Sequence, residues 1–262
     1  MSDFRFGVCT SFRDKEKMLL AQKAGAEYIE VNFCDLSKAD DETVNDLVTF
    51  SKAENLPCLT ANCMFPGELK LVGPEVNYSV IDEYLDKAAE KFAKVGGQTV
   101  VFGSSGSRRC PDGWDYDIAT EQLVRLCADH IAPYMRKHGI ICAIEPLNRK
   151  ECNIITTAKR GFEICKAANA PEVKLLIDMY HFDSENEPLE SITDYKGYIQ
   201  HIHIANAKNE RKLPKFSDTT DYKAFLEALI KAEYEPKLIS LEGRCENFYE
   251  EAKEAFEVLR QL

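Results

Sequence analysis

Eight short apolar runs recur along the chain, separated by longer stretches in which apolar residues return at helical spacing. The runs are FRFGVC at 4 to 9, YIEVN at 28 to 32, PCLTAN at 57 to 62, TVVFG at 99 to 103, IICAIE at 140 to 145, VKLLID at 173 to 178, YIQHIHIA at 198 to 205 and KLISLE at 237 to 242. They are nearly continuous in apolar residues rather than strictly alternating, which is the pattern of parallel strands covered on both faces. Segments 14 to 24, 40 to 54, 117 to 138, 156 to 168, 221 to 231 and 248 to 260 read as amphipathic helices, with a shorter one near 185 to 193. In YSVIDEYLDKAAEKFAKVG, Val80, Tyr84, Ala88 and Phe92 recur at four-residue spacing, and Gly96 with Gly97 supplies the stop. Eight strands alternating with helices predict an α/β chain, a (β/α)8 TIM barrel forming a single domain over 1 to 262. A doubly wound open sheet is the competing arrangement, because a count of strands does not by itself close a barrel.

The long loops all follow strands: 63 to 76 after the third run, 104 to 117 after the fourth and 206 to 221 after the seventh. Short returns such as ENLP and KHG lie on the other side, so the carboxyl ends of the strands form the working face. Four side chains with metal-binding chemistry sit at those ends: Glu145 in ICAIEP, Asp178 in KLLIDMYH, His203 in QHIHIAN and Glu242 in KLISLEG. An unpaired carboxylate is costly to bury at the end of an apolar strand, so each needs a salt bridge, hydrogen bonds or a cation. Three carboxylates and one imidazole form a hard, oxygen-rich set suited to a divalent ion that keeps open positions for substrate oxygens. Such a site suits proton transfer at a carbon next to a carbonyl, with Glu145 and Glu242 across the mouth from one another as the acid and base. Asp178 with His181 three residues on also fits an ordinary helix start. His201 and His203 share one face of the seventh strand, and His201, one layer deeper, is either a core histidine or a support to the ligands.

Composition narrows the partners. With 33 Lys and Arg against 44 Asp and Glu, the net charge of -11 argues against nucleic acid. Ten scattered Cys without a CxxC pair, several of them in apolar runs (Cys9, Cys58, Cys142), read as reduced thiols in a cytoplasmic protein. No apolar stretch is long enough to span a membrane. Phosphate-cradling glycine motifs are absent, so Arg108, Arg109 and Arg149, which lie near possible substrate loops, read as surface residues at least as readily as phosphate binders. Phe65 and Trp114 fit either an apolar wall for a sugar ring or packing within their loops.

At these residues the chain resembles the sugar phosphate isomerase/epimerase superfamily of xylose-isomerase-like barrels, and within it the branch of D-tagatose 3-epimerase and its relatives. The resemblance covers nearly the whole chain. It implies that Glu145, Asp178, His203 and Glu242 bind one divalent ion, manganese first with magnesium, cobalt or zinc as substitutes, and that Glu145 and Glu242 are the catalytic pair. His181 in DMYH and Glu151 in EPLNRKE are then substrate contacts. That branch has an arginine six residues after the ligand histidine; here the place is Asn209, and Arg211 fills it only if the loop shifts by two residues. The implied function is a metal-dependent epimerase or isomerase acting on a ketose or oxidised sugar, possible as a homo-oligomer. Dehydratases and lyases of oxidised sugars or cyclitols, and a non-catalytic carbohydrate-binding barrel, are the alternatives. The multi-zinc endonucleases of the same fold need more histidines than the five at 130, 138, 181, 201 and 203.

Overall fold

The computed structural model describes residues 3–262. Its eight strands are β1 (Arg5–Cys9), β2 (Tyr28–Asn32), β3 (Cys58–Asn62), β4 (Thr99–Phe102), β5 (Ile141–Ile144), β6 (Val173–Asp178), β7 (Ile199–Ile204) and β8 (Leu238–Leu241). All neighbours pair in parallel, and β8 returns to β1, so the sheet closes into a barrel and the open-sheet alternative is excluded. Every strand falls inside the run that the hydrophobic pattern marks out.

The helical layer departs from the pattern in instructive places. In the helix Tyr78–Lys94 the buried stripe is Ile81, Leu85, Ala88, Ala89 and Phe92, while Val80 is 47% exposed. A strict four-residue step gains about 40° per step on the 3.6-residue turn, so Val80, twelve residues before Phe92, has rotated off the core face. The segment expected as one helix over 117 to 138 is Tyr116–Arg125, a π-helical turn Leu126–Ile131 and then Ala132–His138. Pro133 has no N–H to donate and crowds the preceding turn, so the helix widens just ahead of it. Near 185 to 193 the chain forms a 3-10 helix, Leu189–Tyr195. Short helices at Phe33–Ser37 and Met179–Ser184 leave the ends of β2 and β6 directly, a third at Ser105–Arg108 follows β4 after two residues, and the pattern does not show them.

Two loop residues expected near substrate are placed in the core. The Phe65 ring, 3% exposed, packs edge-on against Phe102 at 5.3 Å and beside Tyr84. Arg108 is neither a surface nor a phosphate-binding residue: it is fully buried, and its guanidinium donates to the carbonyls of Phe102 at 2.7 Å and Glu145 at 2.6 Å. Arg109 and Arg149 are exposed, the latter paired with Glu185. All ten cysteines are free, Cys58 and Cys142 buried and Cys9 half-buried. Among the described residues no helix is long and apolar enough to cross a membrane.

Candidate metal centre and sugar site

The carboxyl ends of β5 to β8 bring the four predicted side chains together. Glu145, Asp178, His203 and Glu242 each offer a ligand atom within 4.8 Å of all the others. Register explains it: Asp178 on β6 pairs directly with His203 on β7, and Glu145 and Glu242 each follow the last residue of their strands. His203 Nδ1 lies 3.4 Å from Glu145 Oε1 and 3.2 Å from Glu242 Oε2. Asp178 divides its two oxygens. Oδ1 caps the following helix by accepting the Tyr180 N–H at 2.7 Å, and Oδ2 turns into the cluster. The helix-start and cluster readings of Asp178 therefore both hold.

Glu145 and Glu242 differ in setting. Burial raises the Glu145 carboxyl above its ordinary range. Burial also acts to raise Glu242, but His203 and Arg211 outweigh it and hold Glu242 down at about 2. Burial pushes Asp178 up to about 6 against the opposing charge of Arg211. The donor set fits a divalent cation. Two buried carboxylates and the half-buried Glu242 gather about one imidazole, and Glu145 Oε1 and His203 Nδ1 have no hydrogen-bond partner among the described residues.

Around the cluster stand three of the five predicted substrate contacts. Arg211 reaches Glu242 Oε2 at 2.5 Å, Asp178 Oδ2 at 3.3 Å and Glu151 Oε2 at 3.6 Å, and its guanidinium lies over the Tyr180 ring. Glu210 and Arg211, whose φ values of 52° and 60° are left-handed, turn the loop there. The loop is then stitched to the end of β8 by the Arg244 N–H to Arg211 carbonyl bond at 2.7 Å. Gly243 permits that approach, because a Cβ there would stand 2.9 Å from the same carbonyl oxygen. His181 Nδ1 accepts the backbone N–H of Asn148 at 3.0 Å, which leaves the ring proton on Nε2, a buried donor without a partner 3.6 Å from Asp178 Oδ2. Trp114 packs against the core from within its own loop, and neither it nor Phe65 joins this polar group.

The sequence pattern of the Xylose isomerase-like TIM barrel matches residues 18–262. The chain belongs to that family. Among family relatives, the 3-dehydro-D-guloside 4-epimerase of Escherichia coli (strain K12) is 27% identical over 172 residues, 61% of this chain and 62% of that protein, so the chain spans less than two thirds of that relative's length. The L-ribulose 3-epimerase of Methylomonas sp. (strain DH-1) is 24% identical over 221 residues, 82% of this chain and 73% of the relative. A D-psicose 3-epimerase crystallised in the presence of D-fructose superposes with a TM-score of 0.82 at 16% identity over 98% of both chains, a likeness of fold. Its sequence relatives in the xylose isomerase-like family are thus sugar epimerases.

Several residues around the cluster carry no obvious sequence signal. Asn62 at the end of β3 donates to Glu242 Oε1 at 3.1 Å. Gly103 leaves room for Glu145, since a Cβ there would meet Glu145 Oε2 at 2.1 Å. Asn148 supports His181 through both its backbone and side-chain nitrogens. Glu30 of β2, fully buried, lies against His203, His201, and Thr60. An acid inside YIEVN poses the same burial problem as Glu145, but it lies within its strand rather than at the strand end. His201 contacts Glu30 and Ser240 and packs its ring edge-on against His203 at 5.1 Å, so of its two readings the supporting one is the nearer.

Proposed function

We propose that this protein is a divalent-metal-dependent sugar epimerase that moves a proton at a carbon next to a carbonyl of an uncharged keto sugar. The carrying observation is the pair Glu145 and Glu242 flanking His203 Nδ1 with Asp178 alongside, two carboxylates facing each other across one small space. Glu145, Asp178, His203 and Glu242 would hold the ion, manganese foremost. When bound, the ion supplies a Lewis acid for the carbonyl oxygen beside the reacting carbon. One glutamate removes the proton and the other returns one to the opposite face, which inverts that centre. The opposed settings of the pair, one carboxyl raised and the other lowered, suit one acid and one base. His181 offers its Nε2–H to a substrate hydroxyl, and Arg211 and Glu151 bracket the next position outward.

Charge supports a neutral substrate. Glu145, Glu151, Asp178 and Glu242 face the single guanidinium of Arg211, so even a doubly charged cation leaves no surplus positive charge for a phosphate. The test is a panel of free ketoses, their phosphates and 3-keto glycosides, incubated with manganese-loaded protein in deuterated water and analysed by NMR. An epimer carrying one solvent deuteron at the inverted carbon is expected, from an unphosphorylated substrate. Product without exchange at carbon would reject proton transfer, and an aldose product would make the enzyme an isomerase.

A further inference from the structure

The interior of a TIM barrel is ordinarily filled by layers of branched apolar side chains. Here the layer beneath the four-residue cluster is polar and sealed. Tyr28, Glu30, Thr60, His201 and Ser240 are each 0% exposed, as is His203 above them. They come from β2, β3, β7 and β8 and form one connected set. Glu30 Oε1 lies 2.8 Å from His203 Nε2; Oε2 lies 2.8 Å from His201 Nε2 and accepts the Thr60 hydroxyl at 2.8 Å. Ser240 Oγ, 3.2 Å from His201 Nε2, closes the set through the Tyr28 hydroxyl at 3.0 Å. The register of β2 against β3 shifts between Ile29 and Glu30, and that of β6 against β7 shifts between Leu175 and Leu176. Such irregularities re-aim the side chains that follow them.

We infer that Glu30 is the positioning residue of the metal centre: it holds the proton of His203 on Nε2 and so presents Nδ1 to Glu145, Asp178 and Glu242. This rests on the metal-dependent reading above and extends it to a residue that touches neither the cluster's open space nor a substrate. A carboxylate only accepts, and three groups converge on the two oxygens of Glu30, so each of the three supplies a hydrogen. His203 spends its Nε2–H on Glu30, so Nδ1, 3.2–3.4 Å from the two glutamates, is the nitrogen left to give its lone pair to an ion. The carboxylate also fixes the ring plane and raises its basicity as a ligand. Because Glu30 sits on β2 and His203 on β7, the contact crosses the barrel interior rather than running along one strand pair.

Two measurements test this. In Glu30→Gln the amide keeps one acceptor oxygen, but its NH2 faces an imidazole N–H, so one histidine loses its partner. Manganese affinity, read by calorimetry or by the free-ion electron paramagnetic resonance signal, is expected to weaken about 10–100-fold while the thermal transition stays cooperative. Unchanged affinity in the folded variant overturns the inference. The second measurement needs no substitution: 15N-labelled histidine NMR of the wild-type protein, metal-free and zinc-loaded, is expected to show His203 protonated at Nε2 in both. A bare Nε2 in either state overturns it, even if the variant does not fold. Failure of the wild type to bind manganese, zinc, magnesium or cobalt would remove the metal-dependent reading instead, and the protonation of Nε2 would still decide the role of Glu30.

Discussion

The two halves of the barrel end differently at the mouth. Strands β5 to β8 carry Glu145, Asp178, His203 and Glu242 at or just beyond their carboxyl ends, all of them titratable and all in one cluster. Strands β1 to β4 finish in Cys9, Asn32, Asn62 and Phe102 followed by Gly103. Not one of those is an acid, yet three positions in this half control the other. Asn62 holds an oxygen of Glu242, Gly103 vacates the space that Glu145 fills, and Glu30 stands one layer below His203. The second half carries the chemistry, and the first half decides where its atoms stand. In a closed barrel the strands face one another across a few ångströms, so this division needs no contact between sequence neighbours.

The largest expected effect lies wholly in the second half. Glu145→Gln and Glu242→Gln keep the side-chain shape but remove the base, and each should lower kcat about 100- to 10,000-fold. To separate a lost base from a lost ligand, manganese affinity is measured on the same samples. Turnover near wild type in either variant would mean that these residues are not the proton-transfer pair.

Gly103→Ala asks whether the first half acts at a distance. The added Cβ would meet Glu145 Oε2 at 2.1 Å, and the carboxylate is the mobile partner, so it should move while the strand stays. A displacement of that size should cost about 100-fold in kcat/KM, with little change in melting temperature. A variant that loses its fold and its activity together would show instead that the position is needed for strand packing.

Proton competition gives a smaller, graded effect. Burial places Asp178 near 6 and raises Glu145, so both carry protons more often as pH falls through that range. A cation must displace those protons, so its affinity is greatest above about pH 7 and falls as the solution is acidified. Each displaced proton should weaken binding about tenfold per pH unit below the raised pKa. Manganese titrations from pH 7.5 to 5.5 measure the slope, and a flat profile would argue that these carboxylates do not meet the ion. Least of all should be Asn62→Ala, which removes a single hydrogen bond to Glu242. A loss of about tenfold in kcat/KM is expected, with KM for substrate nearly unchanged.

The same division explains what could be read in the sequence. All eight strands were legible because each is a buried parallel strand, and such strands are written as compact apolar runs. Glu145, Asp178, His203 and Glu242 were legible because a charged group at the end of such a run demands a partner. Asn62 and Gly103 were not, because an amide and a glycine at a strand end are chemically ordinary until the opposite wall is in place. Arg211 is only conditionally legible: its reach depends on two consecutive left-handed residues, Glu210 and Arg211, neither of which is a residue type that announces such a turn. Arg108 was misplaced because a charged residue in a Gly- and Ser-rich loop reads as surface, and only the folded chain reveals the two backbone carbonyls waiting for it.

Arg108 has a bearing on which sequences can carry this fold. Its guanidinium spans from the carbonyl of Phe102 to that of Glu145, joining the ends of β4 and β5, and no carboxylate lies within ion-pair distance among the described residues. Lysine has a single charged point and cannot serve both carbonyls with the same planar fork. Shorter polar side chains cannot reach, and an apolar one takes a buried donor from both carbonyls, that of Phe102 keeping only the Glu145 N–H at 3.2 Å. In a saturation library selected for folded protein, position 108 should therefore be as intolerant as any in the core, despite being a charged residue in a loop. A site recognised only by its reacting groups would overlook it, yet the backbone from which Glu145 projects is tied down there.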